Sequence, residues 1–261
     1  MKEGWWVSII TPTLNCGETI GDCIRAVQRQ NYPWVEHLIV DGQSNDDTLM
    51  QVERAGFSGR LLVGRDSGIY AAINKGIALA RGEVIGILHG DDYYANERVL
   101  GEVMRYFHGG MDAVLGGVWF VGRKSGQGIV RRYASPHWGL THFRWGVQPP
   151  HPGFFLLRER YVALGLYREN YELAGDFEFL LRGMLRGRWR YHCVERPLVI
   201  MRQGGKSRLG WRSMWVLYFE CQRACRENHF PVLPGQMLIR YFPKLLGVLQ
   251  PKLGGMRRFL F

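Results

Sequence analysis

Between Arg65 and Asp92 the chain reads Arg-Asp-Ser-Gly-Ile-Tyr-Ala-Ala-Ile-Asn-Lys-Gly-Ile-Ala-Leu-Ala-Arg-Gly-Glu-Val-Ile-Gly-Ile-Leu-His-Gly-Asp-Asp, and this stretch restricts the fold most. It predicts a turn, then a helix over Ile69 to Ala80 with Ile73, Ile77 and Ala80 inward, stopped at Gly82. Val84 to Leu88 follows as a short apolar strand, and two adjacent carboxylates, Asp91 and Asp92, stand where it runs out. Two such charges repel, which raises one pKa unless a cation sits with them. A divalent metal is the simplest such cation, and oxygen ligands suit magnesium or manganese. The competing reading makes the pair capping acids ahead of a helix beginning near Asn96.

The same strand–helix alternation fills the whole first half. Trp5 to Ile10, His37 to Val40 and Arg60 to Val63 read as strands. Glu18 to Gln30 has helical spacing, with Ile20, Cys23, Ile24 and Val27 on one side, and Ser44 with Asp47 opens a helix through Ala55. This alternation predicts an α/β fold with a parallel sheet covered on both faces. Such sheets bind ligands beyond the carboxyl ends of their strands. Thr11 to Asn15, Asp41 to Ser44, Arg65 to Gly68 and His89 to Asp92 would then share one crevice.

After a helix over Asn96 to Phe107, the pattern loosens. Ala113 to Val121, Ile129 to Tyr133, Gly153 to Leu157, Trp189 to Val194 and Leu198 to Met201 read as strands, and Glu178 to Leu185 as a helix. His137 to Pro150 reads as a loop. Trp211 to Glu227 and Met237 to Leu249 read as amphipathic helices rich in aromatic and basic residues.

A hydrophobic fraction of 46% supports a packed core, and the net charge of +11 attracts anions without choosing among nucleic acid, anionic lipid and phosphorylated metabolites. Five cysteines without a disulfide-like framework favour a reducing compartment. No leader-like N-terminus and no uninterrupted apolar run of roughly 18 residues is found, so neither a signal peptide nor a membrane span is expected.

Individual residues carry paired readings. Thr11, Pro12 and Asn15 could hold a base or ribose, or form an ordinary strand-to-helix turn. Asp41 could accept from a ribose hydroxyl or a base N–H, or cap the next helix. Asp66 and Lys75 bracket a helix start, where Lys75 meets a phosphate or neutralises nearby acids. Asp176, in Ala-Gly-Asp-Phe-Glu-Phe-Leu-Leu-Arg, could take a proton from an attacking hydroxyl, or serve as an N-cap. His151 lines an acceptor side or is structural. Gly204-Gly205-Lys206-Ser207-Arg208 could close over a diphosphate or be a plain exposed loop.

Taken in order, Ser-Ile-Ile-Thr-Pro-Thr-Leu-Asn, Val-Asp-Gly-Gln-Ser-Asn-Asp-Asp-Thr, Asp-Ser-Gly-Ile-Tyr-Ala-Ala-Ile-Asn-Lys-Gly, Leu-His-Gly-Asp-Asp and Gly-Asp-Phe-Glu-Phe-Leu-Leu-Arg resemble the family 2 glycosyltransferases of GT-A fold, closest to bacterial exopolysaccharide and lipopolysaccharide types. The resemblance implies a GT-A domain over 1–205, with a nucleotide-sugar half (1–108) and an acceptor half (109–205), and a C-terminal helical extension over 206–261. It implies that Thr11 and Asp41 hold the nucleoside, and that Asp66 and Lys75 sit near the base and diphosphate. Asp91 and Asp92 match the acidic metal motif, with Asp92 favoured as direct ligand, and Asp176 matches the catalytic base. The sequence departs from the family pattern at His89, where Asp or Asn is more usual, and at Ala71, where Asp is.

The expectation is therefore an inverting glycosyltransferase using a UDP-sugar with Mn or Mg, and a glycan or lipid-linked glycan acceptor. It would be cytoplasmic, with the C-terminal helices suited to an anionic membrane surface on the inner-membrane face or, alternatively, to completing the core or a dimer contact. A sugar-phosphate nucleotidylyltransferase would carry a Gly-rich basic loop where Thr-Pro-Thr-Leu-Asn stands. A basic nucleic-acid-binding module would not line its crevice with acids, so no nucleic-acid partner is expected.

Overall fold

The computed structural model describes residues 4–122, 128–134, 137–202, 210–233 and 235–241. Strands β1 (Val7–Thr13), β2 (Val35–Asp41), β3 (Arg60–Val63) and β4 (Val84–Ile87) lie parallel in the order β3-β2-β1-β4. Helices α1 (Ile20–Gln28), α2 (Thr48–Arg54) and α3 (Ile69–Leu79) make the crossovers. The second half adds β5 (Tyr93–Tyr94), α4 (Val99–His108), β6 (Ala113–Val121), β7 (Ile129–Tyr133), α5 (Leu140–Arg144), β8 (Phe154–Leu157), α6 (Arg158–Leu164), α7 (Gly175–Arg182), β9 (Tyr191–Arg202) and α8 (Trp211–Glu227). β8 joins β4 antiparallel and β6 joins β8 antiparallel. β9 runs parallel to β6, β5 closes the far edge, and β7 hangs on β6 as a hairpin.

Period-2 alternation gives the sheet two apolar faces. Ile10, Ile85, Ile87, Leu115, Phe154 and Leu156 face one core with α3, α7 and α8. Val7, Ile9, Val84, Val114 and Phe155 face the other with α1 and α4. The helix α3 lies so close to β1 that a Cβ on Gly76 would fall 2.4 Å from Ile10 Cγ2, which is why that turn carries glycine. Cys221, Ala224 and Cys225 sink α8 into the first core, so this helix packs with the sheet-covering layer.

The four N-terminal strands and three helices match the sequence expectation in order, and β3, β6, β7 and α8 match it in extent. Elsewhere local chemistry moved the boundaries. β1 runs three residues past Ile10, taking Thr11, Pro12 and Thr13 into the sheet opposite Ile39, Val40 and Asp41. α2 starts at Thr48 because the Ser44 hydroxyl is held by Asp41, while Asp46 accepts from the Thr48 amide at 3.0 Å. The segment expected to be a loop over 137–150 contains α5, and α6 directly follows β8. The two strands expected over 189–201 are one, β9, whose register slips around Gly117 and Pro197. A bulge is where a strand tolerates proline. The expected helix over Met237–Leu249 begins as a 3-10 turn, Gln236–Tyr241, and the remainder lies outside the described residues, as do Gly204 to Arg208. Among the described residues no helix is long and apolar enough to cross a membrane.

Candidate active site

The carboxyl ends of β1 and β2 are tied together by polar side chains. Asp41, fully buried at the end of β2, accepts from the Ser44 amide at 2.8 Å and the Ser44 hydroxyl at 2.5 Å. The same hydroxyl oxygen accepts from the Asn15 amide at 2.8 Å, and Asn15 Oδ1 accepts from the Asn45 amide at 2.9 Å. Asn15 sits at φ +55°, a left-handed conformation that asparagine tolerates better than most residues. Thr11 and Pro12 lie inside the strand instead of in the turn after it. The Thr11 hydroxyl is fully buried and bonded to His37 Nε2 at 2.9 Å, so the exposed rim begins at Leu14 and Asn15. Asp66 pairs with Lys75 at 2.5 Å across the first turns of α3, leaving Asp66 Oδ2 buried without a partner among the described residues.

The acid pair divides by burial. Asp91 is half-buried and close enough to His89 to act on its titration. Asp92 is fully buried, and among the described residues neither carboxylate oxygen has a partner in good hydrogen-bond geometry, the Arg202 backbone being the nearest donor to act on it. Burial first, and the Asp91 charge second, push its pKa well above the ordinary carboxylate value. The Thr13 hydroxyl and Tyr94 hydroxyl are likewise buried and unpartnered. Thr19 Oγ1 donates to the Gly90 carbonyl at 3.0 Å, fastening the acid loop to the start of α1. Two adjacent carboxylates, one with both oxygens orphaned, fit a hard divalent cation by donor type. No three His, Cys, Asp or Glu side chains among the described residues gather tightly enough to form an all-protein cage. That arrangement suits an ion whose remaining positions are filled from outside the protein.

Aromatic side chains link the acid pair to Asp176. His89 and His151 rings stand 5.9 Å apart, and His151 Nε2 is 3.0 Å from the Tyr167 hydroxyl. Burial, and then His89, hold the His151 pKa down at about 3, so the imidazole is neutral. Tyr167 stacks on Tyr70 at 5.9 Å, and the Tyr70 hydroxyl donates to Asp176 Oδ1 at 3.4 Å. A Cβ on Gly175 would fall 2.6 Å from the Tyr70 ring, so glycine at the start of α7 lets that ring lie against the helix.

Asp176 itself is in the first turn of α7. Its Oδ1 also accepts from the Phe177 amide at 2.8 Å, and Oδ2 accepts from Gln148 Nε2. A carboxylate offers about four acceptor positions, and among the described residues other groups fill three of them, only one of these on Oδ2. Three donors and a helix N-terminus all favour the ionised form. Burial outweighs them, and the pKa rises to about 6. A carboxyl with that value is ionised near neutrality yet basic enough to accept a proton. The segment before it is held from α8. Glu220 accepts from the Glu172, Leu173 and Ala174 amides at 2.7 to 2.8 Å.

Sequence reasoning found the acids but missed Ser44 as the partner of Asp41, and Tyr70 and Gln148 as partners of Asp176. Tyr70 lay in a quoted motif. Gln148 was signalled only by its place before Pro149 and Pro150, where the backbone is restricted to extended conformations.

Comparison with known proteins agrees with this architecture. The mannosyltransferase PcManGT from Pyrobaculum calidifontis, in complex with GDP-Man and Mn2+, superposes with a TM-score of 0.62 over 97% of this chain and 77% of its own at 17% identity. S. aureus TarS 1-349 in complex with UDP gives 0.65 over 95% of this chain and 76% of its own at 19% identity. These likenesses establish the GT-A type fold. In sequence, a PGL/p-HBAD biosynthesis glycosyltransferase of Mycobacterium bovis is 27% identical over 205 residues, covering 75% of this chain and 72% of that protein. The family described as glycosyl transferase family 2 matches residues 8–163, more than half of the chain and the whole of the sheet's parallel half except its first residue. From strand order to motif order, then, the chain belongs to glycosyl transferase family 2.

Proposed function

We propose that the protein is an inverting transferase that moves a sugar from a UDP-sugar to a hydroxyl of a glycan or lipid-linked glycan, in cell-surface polysaccharide synthesis. The observation that carries the reading is Asp176: a carboxyl held by three donors, with one acceptor position open and a pKa of about 6. In the reaction, the acceptor hydroxyl gives its proton to Asp176 Oδ2. Its oxygen lone pair attacks the anomeric carbon from the face opposite the diphosphate, and the carbon–oxygen bond to the diphosphate breaks with its electrons leaving on that group. A single displacement inverts the anomeric centre.

Asn15 and the Asp41–Ser44 pair orient the nucleoside in this reading, with Thr11 and Pro12 supporting that rim from within β1. Lys75, paired to Asp66, lies toward the diphosphate side, and His151 supports the acceptor side. Asp91 and Asp92 are the residues that would hold Mn or Mg. Such an ion supplies charge neutralisation for the departing diphosphate.

An anionic membrane face is part of the proposal. Trp211, Trp215 and Phe219 stand 74%, 44% and 63% exposed at four-residue spacing on α8, beside the exposed Arg212. Aromatic and basic side chains on one helix face suit a lipid interface, and the same helix grips the segment ahead of Asp176 through Glu220.

Asp176→Asn tests the reading. Transfer, measured as UDP release with an accepting glycan, should vanish while UDP-sugar binding persists. Turnover close to that of the unmodified enzyme would refute the base assignment.

A further inference from the structure

Gln148 is a polar side chain with one of its two polar atoms engaged among the described residues. Its Nε2 donates to Asp176 Oδ2, and its Oε1 is buried without a partner among the described residues. A buried acceptor left unpaired is unfavourable, and leucine would fill the same space without that penalty. The amide is therefore explained by what its nitrogen does. The backbone beneath it is fixed: the Tyr133 hydroxyl on β7 donates to the Gln148 carbonyl at 2.6 Å, and Pro149 and Pro150 stiffen the chain beyond it. The side chain thus projects from a rigid mount onto a carboxylate carried by a different element.

The bond has one sense. A carboxylate oxygen can only accept, so the NH2 side of the amide must face Asp176 while the acid is ionised. On protonation the amide can turn and present Oε1 to the new O–H. The other groups around Asp176 do not duplicate this. On Oδ1 the Phe177 amide of α7 itself donates at 2.8 Å and Tyr70 from α3 at 3.4 Å, and neither bonds Oδ2. Tyr167 lies behind Tyr70 and is kept neutral by burial. Glu220 from α8 is occupied by the 172–174 amides. From α5, Arg144 lies over the Phe230 ring and His142 against Trp138.

We infer that Gln148 is the positioning residue of this site: its amide fixes the Asp176 carboxylate as an acceptor with one Oδ2 position open. The inference rests on Asp176 being the base, and deepens that reading by naming what controls it.

The test needs no ligand. In the full chain labelled with 13C at the aspartate carboxyl carbon, the Asp176 resonance is identified by its loss in Asp176→Asn and titrated. Its midpoint should lie near 6 in the unmodified protein. Gln148→Leu removes a charge-assisted hydrogen bond and should raise the midpoint by roughly one pH unit. Gln148→Glu, nearly isosteric and hence a guard against misfolding, places a second carboxylate there and should raise it further. The acid limb of the pH–rate profile for UDP release should move with it. A midpoint unmoved in both variants, or a rate lowered equally at every pH, would overturn the inference while leaving Asp176 as base. Full transfer by Asp176→Asn would overturn the base and the inference together.

Discussion

The raised pKa of Asp176 has a consequence for folding that can be measured apart from catalysis. An aspartate that titrates near its model value of 3.8 when unfolded and at about 6 when folded binds its proton more tightly in the native state. Between those values the native state holds more protons than the unfolded one, so stability falls as pH rises. Below about pH 4 both states are protonated and nothing is lost. Above about pH 6 the full difference of some two units is lost, about 3 kcal/mol at 1.36 kcal/mol per unit. That figure is a ceiling, because the residue keeps some surface. Asp176→Asn removes the burden. The amide of asparagine can keep Oδ1 on the Phe177 amide and on Tyr70 and present its NH2 to a turned Gln148, so the local bonds persist. The variant should therefore be more stable than the unmodified protein near pH 8 by on the order of 1–3 kcal/mol, a rise of several degrees in Tm. The gain should shrink to nothing by about pH 4. Thermal melts of both proteins across that range read it directly. A variant that is less stable near pH 8, or whose advantage is the same at every pH, would refute the reasoning.

Three further outcomes are expected. Mn and UDP together should raise Tm by mass action, and Asp91→Asn should lose the Mn increment while keeping that of UDP alone; an unchanged Mn increment would count against Asp91. Arg182→Met leaves the fully buried Glu178 without the guanidinium that meets its two oxygens at 2.9 and 3.0 Å. Arg168 at 3.4 Å and Asn228 at 3.2 Å remain, so the loss should be at the lower end of the range for a broken buried pair, about 3 kcal/mol by denaturant unfolding, and smaller when Glu178→Gln is added. The triple change Trp211→Ser, Trp215→Ser, Phe219→Ser should abolish co-flotation with anionic liposomes at low salt; flotation equal to that of the unmodified protein would rule out this helix face as the contact.

Much of this was readable beforehand where a residue's neighbours are close in sequence. The inward face of α1 is Ile20, Cys23, Ile24 and Val27, the set its spacing predicts. β3 spans Arg60–Val63, the bounds its sequence predicts. What failed depended on partners far along the chain. Thr11 looked like a turn residue, but His37, 26 positions away, takes its hydroxyl into the sheet. Ser44 looked like a cap for α2 and instead serves Asp41. The two expected strands before 202 merge because β6 offers a continuous ladder and a bulge absorbs Pro197. Within the site, single acids were legible from motif order, whereas Gln148 and Tyr70 acquire meaning only through a carboxylate 28 and 106 residues away.

The grip of Glu220 on three consecutive amides ties α8 to the segment that leads into α7. The family match ends at residue 163, and both the segment that is gripped and the helix that grips it lie beyond it. The placing of the Asp176 carboxyl and the seat of α8 therefore share a mechanical foundation. A chimera that exchanges only the final helix with a relative would disturb turnover before it altered preference, whereas one that exchanges everything after β8 would carry the matched pair across intact.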